Sequence, residues 1–272
     1  MKSEPDLEGF KLFLQEEERT PNTIRSYLYA VETYFKAHPE LTKQEVIAWK
    51  TELSQSYPAS TVNLRLNAIR QYAVFKNILL PVKLMKVQMI FNVENVITDE
   101  QYHHLMYCLK ADGEMQWYYN ILILAKTGTR ISEAVRLKKA DVIHGYAIMS
   151  SKGKVRTVLF PTSLQEDLRE YLLRLENQEY LLQSTRCRGQ KPISCRAVNH
   201  ALQRFAKCYQ IPLEVMHPHS FRHHFGVKVM QKTNDISYVA DLMGHANIAT
   251  TRIYTQQTIS QQQKKLDSAV DW

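Results

Sequence analysis

The sequence predicts a mainly α-helical protein of two domains with one small antiparallel β-sheet. Apolar residues recur at three- and four-residue spacing through most of the chain. Glycine (8) and proline (9) are too scarce for the turns of an all-β protein. One stretch alone, residues 142–160, alternates and is rich in Val, Ile and Thr. A length of 272 residues suits two domains.

The elements follow in order. Leu7, Phe10 and Leu14 share one face of a first helix. Thr20-Pro21 opens a second, with a hydroxyl at the cap and proline at the first helical position. Ile24, Tyr27, Leu28, Val31, Tyr34 and Phe35 give that helix its apolar face, and Pro39 closes it. Thr42 caps a third, carrying Val46, Trp49 and Leu53; a fourth starts near Ser60-Thr61 and carries Val62, Leu66 and Ile69. Its other faces hold Asn63, Arg65, Asn67, Arg70 and Gln71, suited either to a phosphate- and base-contacting surface or to plain solvation. Residues 77–97 lose the helical period and contain Pro81. The predicted domains are therefore 1–80 and 97–272, joined by a linker over 81–96.

In the second half, Thr98 caps a helix over 98–110, and an apolar helix from Trp117 to Lys126 ends at Gly128. Helix is expected over Arg130–Lys138, then the hairpin, turning at Ser151-Lys152-Gly153. Further helices are expected at about 162–175, 194–208, 218–231, 235–243 and 247–254. Residues 256–272 set Ile259, Leu266, Ala269, Val270 and Trp272 among polar neighbours, so a tail helix that docks on a neighbouring protomer is expected.

Composition excludes several classes. With 44% hydrophobic and 23% charged residues the chain is neither collagen-like nor wholly disordered. No apolar run reaches a membrane span, and the acidic start MKSEPDLEGF lacks an apolar signal core, so no membrane association and a cytoplasmic location are expected. Cys108, Cys187, Cys195 and Cys208 form no C-x-x-C pair and no disulfide framework. Lys+Arg exceed Asp+Glu by 35 to 27, a net +8 that permits nucleic-acid binding without establishing it.

Three segments put polar residues into otherwise apolar helical text. In TGTRISEAVRL, Arg130 and Glu133 stand at i, i+3 and share a helix face, so the carboxylate can orient the guanidinium; an ordinary surface pair is the plain alternative. In HPHSFRHHFGVKVM, His219 and Arg222 sit three apart near a helix start, where positive charge serves an anion better than the helix. His219 and His223, with His217 and His224 near, also admit a metal, but no further ligand stands at zinc-site spacing. No metal and no cofactor is expected. In LMGHANIATTRIYT, His245 follows Gly244 at a helix end and Tyr254 comes nine residues later. The chain shows no G-x-x-x-x-G-K-[ST] loop and no acidic cluster for two-metal chemistry.

Together these segments resemble the tyrosine recombinase (phage-type integrase) family of site-specific recombinases, in a Xer-like two-domain form. TPNTIRSY and STVNLRLNAIR resemble its helical, SAM-like core-binding domain. The ordered pattern Arg, hairpin Lys, His-x-x-Arg, Gly-His and Tyr resembles its catalytic set. The resemblance implies the DNA breaking-rejoining enzyme fold. It implies Arg130 and Arg222 as phosphate clamps, Lys152 as general acid, His219 as proton acceptor, His245 as a further hydrogen-bond donor and Tyr254 as nucleophile, with Glu133 in support. Lys154 lies two residues from Lys152 and remains the alternative acid. Phe221 stands where the family often has Leu, and His224 where it often has Ser or Thr. Arg65, Asn67, Arg70 and Lys154 are the expected DNA contacts. The implied partner is double-stranded DNA with an inverted-repeat core site, bound by a homo-oligomer, a dimer per site and a tetrameric synapse. The length predicts no separate arm-binding domain. Type IB topoisomerase-like relaxation and a non-catalytic accessory role are the alternatives.

Overall fold

The computed structural model describes residues 5–86, 95–151, 154–175, 179–183, 191–244 and the single positions 251, 267 and 270. The chain divides into two compact units, Met1–Ile90 and Phe91–Trp272.

Four helices build the first unit: α1 (Leu7–Glu16), α2 (Pro21–Ala37), α3 (Lys43–Ser56) and α4 (Ala59–Phe75). Side-chain caps set three of the starts, Asp6 accepting from Gly9 N–H, Thr20 from Thr23 and Thr42 from Glu45. Helix α4 begins one residue earlier than expected, after Pro58 and without a side-chain cap. Phe10, Leu14, Val31, Tyr34, Trp49, Leu66 and Ile69 form one core. Within it Phe10 meets Tyr72 edge-on at 5.1 Å and Tyr34 meets Trp49 at 5.1 Å. Residues 81–86, inside the expected linker, stay on this unit: Val82 is buried in the same core and Asn63 brackets Met85. The Asn63 amide donates to the Met85 carbonyl and accepts from its N–H, so it belongs to this strap rather than to a free contact face.

The second unit gathers around α6 (Met115–Thr127), nine of whose 13 residues are buried. It packs against α5 (Asp99–Ala111), whose Thr98 and Gln101 form a capping box, and against α12 (Pro218–Thr233). Ile97 fixes the entry to α5: its N–H donates to Ser220 Oγ at 2.8 Å and its carbonyl lies 3.1 Å from His224 Nδ1. Helices α11 (Cys195–Cys208) and α13 (Ile236–Met243) complete the frame.

Three elements depart from expectation. The helix expected over 130–138 is one turn, α7 (Ile131–Ala134). Its continuation is lost because Leu137, Lys138 and Lys139 pair their backbone with Leu181, Tyr180 and Glu179. The hairpin expected from 142 starts later, because Val142 and Ile143 lie in α8 (Lys139–His144), which Gly145 ends at φ +79°. It comprises β1 (Tyr146–Ser151) and β2 (Lys154–Leu159), antiparallel, with Tyr146 opposite Leu159 and Ser151 opposite Lys154. The helix expected over 162–175 is two short ones, α9 (Thr162–Asp167) and α10 (Arg169–Arg174), interrupted at the buried Leu168; nothing in the described contacts explains that interruption. The helix expected over 247–254 and the tail helix fall outside the described residues, apart from Thr251, Asp267 and Val270.

The first unit holds a titratable cluster that the sequence reading missed. His38 is buried, with Nδ1 2.5 Å from a Glu45 oxygen and Nε2 3.2 Å from a Glu52 oxygen. Burial pushes its pKa down, but the two carboxylates outweigh burial and leave it raised. A raised value in the folded state makes the stabilisation complete below the unfolded pKa of about 6.5 and removes it as pH rises through the folded value. NMR titration should therefore give His38 a midpoint above about 6.5. A midpoint at or below it would refute this ion-pair account.

Candidate active site

The site is organised by the last turn of α13, whose final carbonyls have no partner within the helix. Gly244 ends it at φ +61°, a left-handed conformation that glycine adopts without strain. Leu242, Met243 and Gly244 then offer three successive carbonyls to three different arginines. Arg156 Nη1 donates to Leu242 at 2.6 Å, Arg222 Nη2 to Met243, and Arg130 Nη2 to Gly244 at 3.2 Å. Cations at a helix C-terminus also oppose the negative end of its dipole.

Each arginine arrives from a different element. Arg222 rides on α12, which starts at Pro218 with His217 Nδ1 accepting from Ser220 N–H. Its guanidinium is buried, with only 1% of the residue exposed, and Nη1 donates to the Gly128 carbonyl at 2.6 Å. Gly128 must be glycine: its φ is +59°, and a β-carbon there would stand 2.3 Å from the Phe225 ring. The residue that ends α6 thereby presents an acceptor to Arg222.

Arg130 is not inside a helix but at the extended cap position before α7. Glu133, 2% exposed, accepts from the Arg130 backbone N–H at 2.9 Å and from its Nη1 at 3.2 Å. The i, i+3 pairing expected from the sequence is present, and it caps a helix as well as joining charges. The Arg130 side chain stays 43% exposed. It is fixed on one side and open on the other.

Arg156 is the residue that the sequence reading missed. It lies in β2 with its side chain 12% exposed, and donates to both Glu133 oxygens, from Nε at 3.2 Å and from Nη2 at 2.5 Å. Its stem fills the space over Gly244, where a β-carbon would stand 2.3 Å from Arg156 Cδ. The signal was the hairpin's alternation. Ala147, Met149 and Val158 are buried while Ile148, Val155 and Leu159 are exposed, so Arg156 shares its face with Val158. An arginine on an inward face needs partners.

The electrostatics favour an anion. Burial pushes the Glu133 carboxyl up, but the bonds from Arg156 and Arg130 outweigh this and hold it below the usual carboxylate range. Glu133 is therefore ionised, and it divides one negative charge between two guanidiniums. His219 is exposed at the surface, yet its pKa is lowered, first by the desolvation its protein surroundings impose and then by the charges of Arg222, His217 and Arg130. A neutral imidazole, able to accept a proton, is favoured there. Its ring lies 4.2 Å from that of His223, while His224 turns away to Ile97 and Asp99. Among the described residues no group of three His, Cys, Asp or Glu side chains is placed to hold a metal. A groove of about 460 Å³ lined by Tyr102, His224, Phe225 and Lys228 contains none of the expected site residues.

The structure thus brings together Arg130, Glu133, His219 and Arg222. Lys152, His245 and Tyr254 lie outside the described residues; Lys154 starts β2, two positions before Arg156. In the first unit Arg65 lies over the Tyr57 ring at 4.1 Å, and Asn67, Arg70 and Gln71 line a cavity of about 310 Å³ with Val74 and Ile78–Leu80.

Residues 95–261 match the model of the phage integrase family, and residues 7–77 that of its N-terminal SAM-like domain. The chain belongs to the phage integrase family. It is 30% identical to the tyrosine recombinase XerA of Thermococcus kodakarensis, over 98% of this chain and 96% of that one. Solved structures share the fold: the Tn1549 transposon integrase with transposon right end DNA (TM-score 0.76, 13% identity, 98% and 99% of the two chains) and a lambda integrase dimer bound to a COC′ core site (0.71, 15%, 89% and 94%). Membership makes this a tyrosine recombinase, an enzyme of site-specific recombination; neither plain DNA relaxation nor an accessory role is favoured. Among the described residues no helix is long and apolar enough to cross a membrane.

The lowered His219 value has a measurable consequence for this integrase. In the DNA-free protein the His219 ring should titrate below about 6.5, the ordinary histidine value. Its neutral form then persists to lower pH, and the associated stability is lost as pH falls from the unfolded value towards the folded one. A midpoint above 6.5 in an NMR titration would refute the assigned surroundings.

Proposed function

We propose that this integrase cuts and rejoins duplex DNA at a core site flanked by inverted repeats, through a covalent 3′-phosphotyrosyl link to Tyr254. The observation that carries the reading is Arg130, locked on one side by Glu133 and the Gly244 carbonyl and open on the other, beside Arg222 and a neutral-leaning His219. Attack on a phosphodiester gathers charge on two non-bridging oxygens. Guanidiniums fixed in advance stabilise that charge without reorganising. In the proposed step the Tyr254 oxygen bonds to phosphorus as the bond from phosphorus to the 5′ oxygen breaks. His219 takes the phenol proton, Lys152 gives a proton to the 5′ oxygen, and His245 donates a hydrogen bond to the phosphoryl oxygens. Lys154 is the alternative acid. The phosphotyrosyl link conserves the bond energy, so a second 5′ hydroxyl can reverse the step on another strand without ATP, passing through a Holliday junction.

The assembly assigned to this chemistry is a dimer on each site and a tetramer in synapsis, in the cytoplasm. Arg65, Asn67 and Arg70 are assigned to DNA contact in the first unit. The Arg65 fork already stacks on Tyr57, which leaves its edge for a phosphate.

A pool of nicked duplexes with randomised arms, incubated with the protein and EDTA, should yield protein–DNA adducts stable on a denaturing gel, and sequencing them gives the site. Tyr254→Phe should abolish the adduct; its persistence would overturn the nucleophile. On the selected duplex, a 5′-bridging sulfur should restore cleavage by Lys152→Ala, since a thiolate leaves without protonation. Restoration of Lys154→Ala instead would move the acid to that residue.

The apolar residues of the tail suggest the surface for assembly. Truncation after residue 257 should leave single-site binding intact and abolish synapsis, read by native gel. Unchanged synapsis would exclude the tail.

A further inference from the structure

We propose that Arg156 is a positioning residue for strand cleavage: by occupying both oxygens of Glu133 and the Leu242 carbonyl, it keeps Arg130 available to the scissile phosphate. The inference rests on the function proposed above and adds a part that the family pattern does not supply.

Glu133 is ionised and buried, so its charge must be matched nearby. Two guanidiniums compete for it. Arg156 takes the larger share, with two bonds to both oxygens, and Arg130 gives one side-chain bond at 3.2 Å. Without Arg156 the carboxylate would draw Arg130 into a closed ion pair, and the positive charge facing solvent would be neutralised just where a phosphate should sit. Arg156 also joins three pieces. Its strand leads back through Lys154 to the hairpin turn, Glu133 leads to Arg130, and Leu242 leads through Gly244 to His245. One side chain thus sets the spacing between the hairpin and the end of α13.

A lysine cannot do the same, because an ammonium on a single stem cannot present a planar fork to both carboxylate oxygens and a carbonyl. Arg156→Lys keeps the charge and tests the geometry; Arg156→Gln removes the charge.

The probe is the nicked duplex selected by the wild-type protein, made in two forms. One carries the natural scissile phosphate. The other carries a methylphosphonate there, which has one non-bridging oxygen fewer to stabilise. On the natural form the rate of covalent adduct formation should fall about 100-fold in Arg156→Gln and less in Arg156→Lys, with unchanged Kd for the duplex. On the methylphosphonate the deficit should shrink to within about threefold, because less charge develops for Arg130 to hold. General misfolding would slow both forms equally. Equal deficits in Arg156→Lys, or full activity of Arg156→Gln on the natural form, would overturn the inference. If the wild-type protein forms no adduct with any duplex, the functional reading fails instead.

Discussion

Three consecutive carbonyls, on Leu242, Met243 and Gly244, are the constraint on which the site depends. A helix that stops leaves its last carbonyls unbonded, and burying them unmet is costly. Here three arginines meet them, one each from a loop, a strand and a helix far apart in sequence. The arginines give the carbonyls at the end of α13 the partners that the helix itself does not supply. The arginines in turn could not be held close together without those acceptors, since like charges repel. The structural requirement and the electrostatic one are met by the same bonds.

Two glycines make the convergence possible for different steric reasons. At Gly128 the chain turns left-handed to end α6 and leaves its carbonyl facing Arg222, with the Phe225 ring closing over the space. At Gly244 the same conformation ends α13, and the Arg156 stem takes the place of a side chain. Each glycine lets a charged or aromatic group lie against backbone. That proximity makes Arg222, 1% exposed, tolerable inside the protein.

Much of this was legible in the sequence because it was local. The pair Arg130 and Glu133, the helix start at Pro218, the helix ends at Gly128 and Gly244, and the caps at Thr20, Thr42 and Thr98 each depend on residues a few positions apart. What could not be read was long-range. The helix expected over 130–138 fails because residues 137–139 pair with 179–181, a partnership invisible to local periodicity. Val142 and Ile143 read as strand by type, yet Gly145 sets their fate. Arg156 is one of several charges on the hairpin, and only its inward register marks it as a residue that needs partners.

The charge at the site follows from these contacts. One carboxylate meets two guanidiniums, and burial divides them unequally, Arg156 at 12% exposure against 43% for Arg130. The buried arginine shares Glu133's charge most closely, so the uncompensated positive charge falls on the exposed one. An anion arriving at Arg130 meets a fork whose orientation is already fixed and whose backbone cap prevents it from turning away. Arg130 therefore need not be reoriented as charge develops. The folding free energy that buried Glu133 and ended α13 has already met that cost.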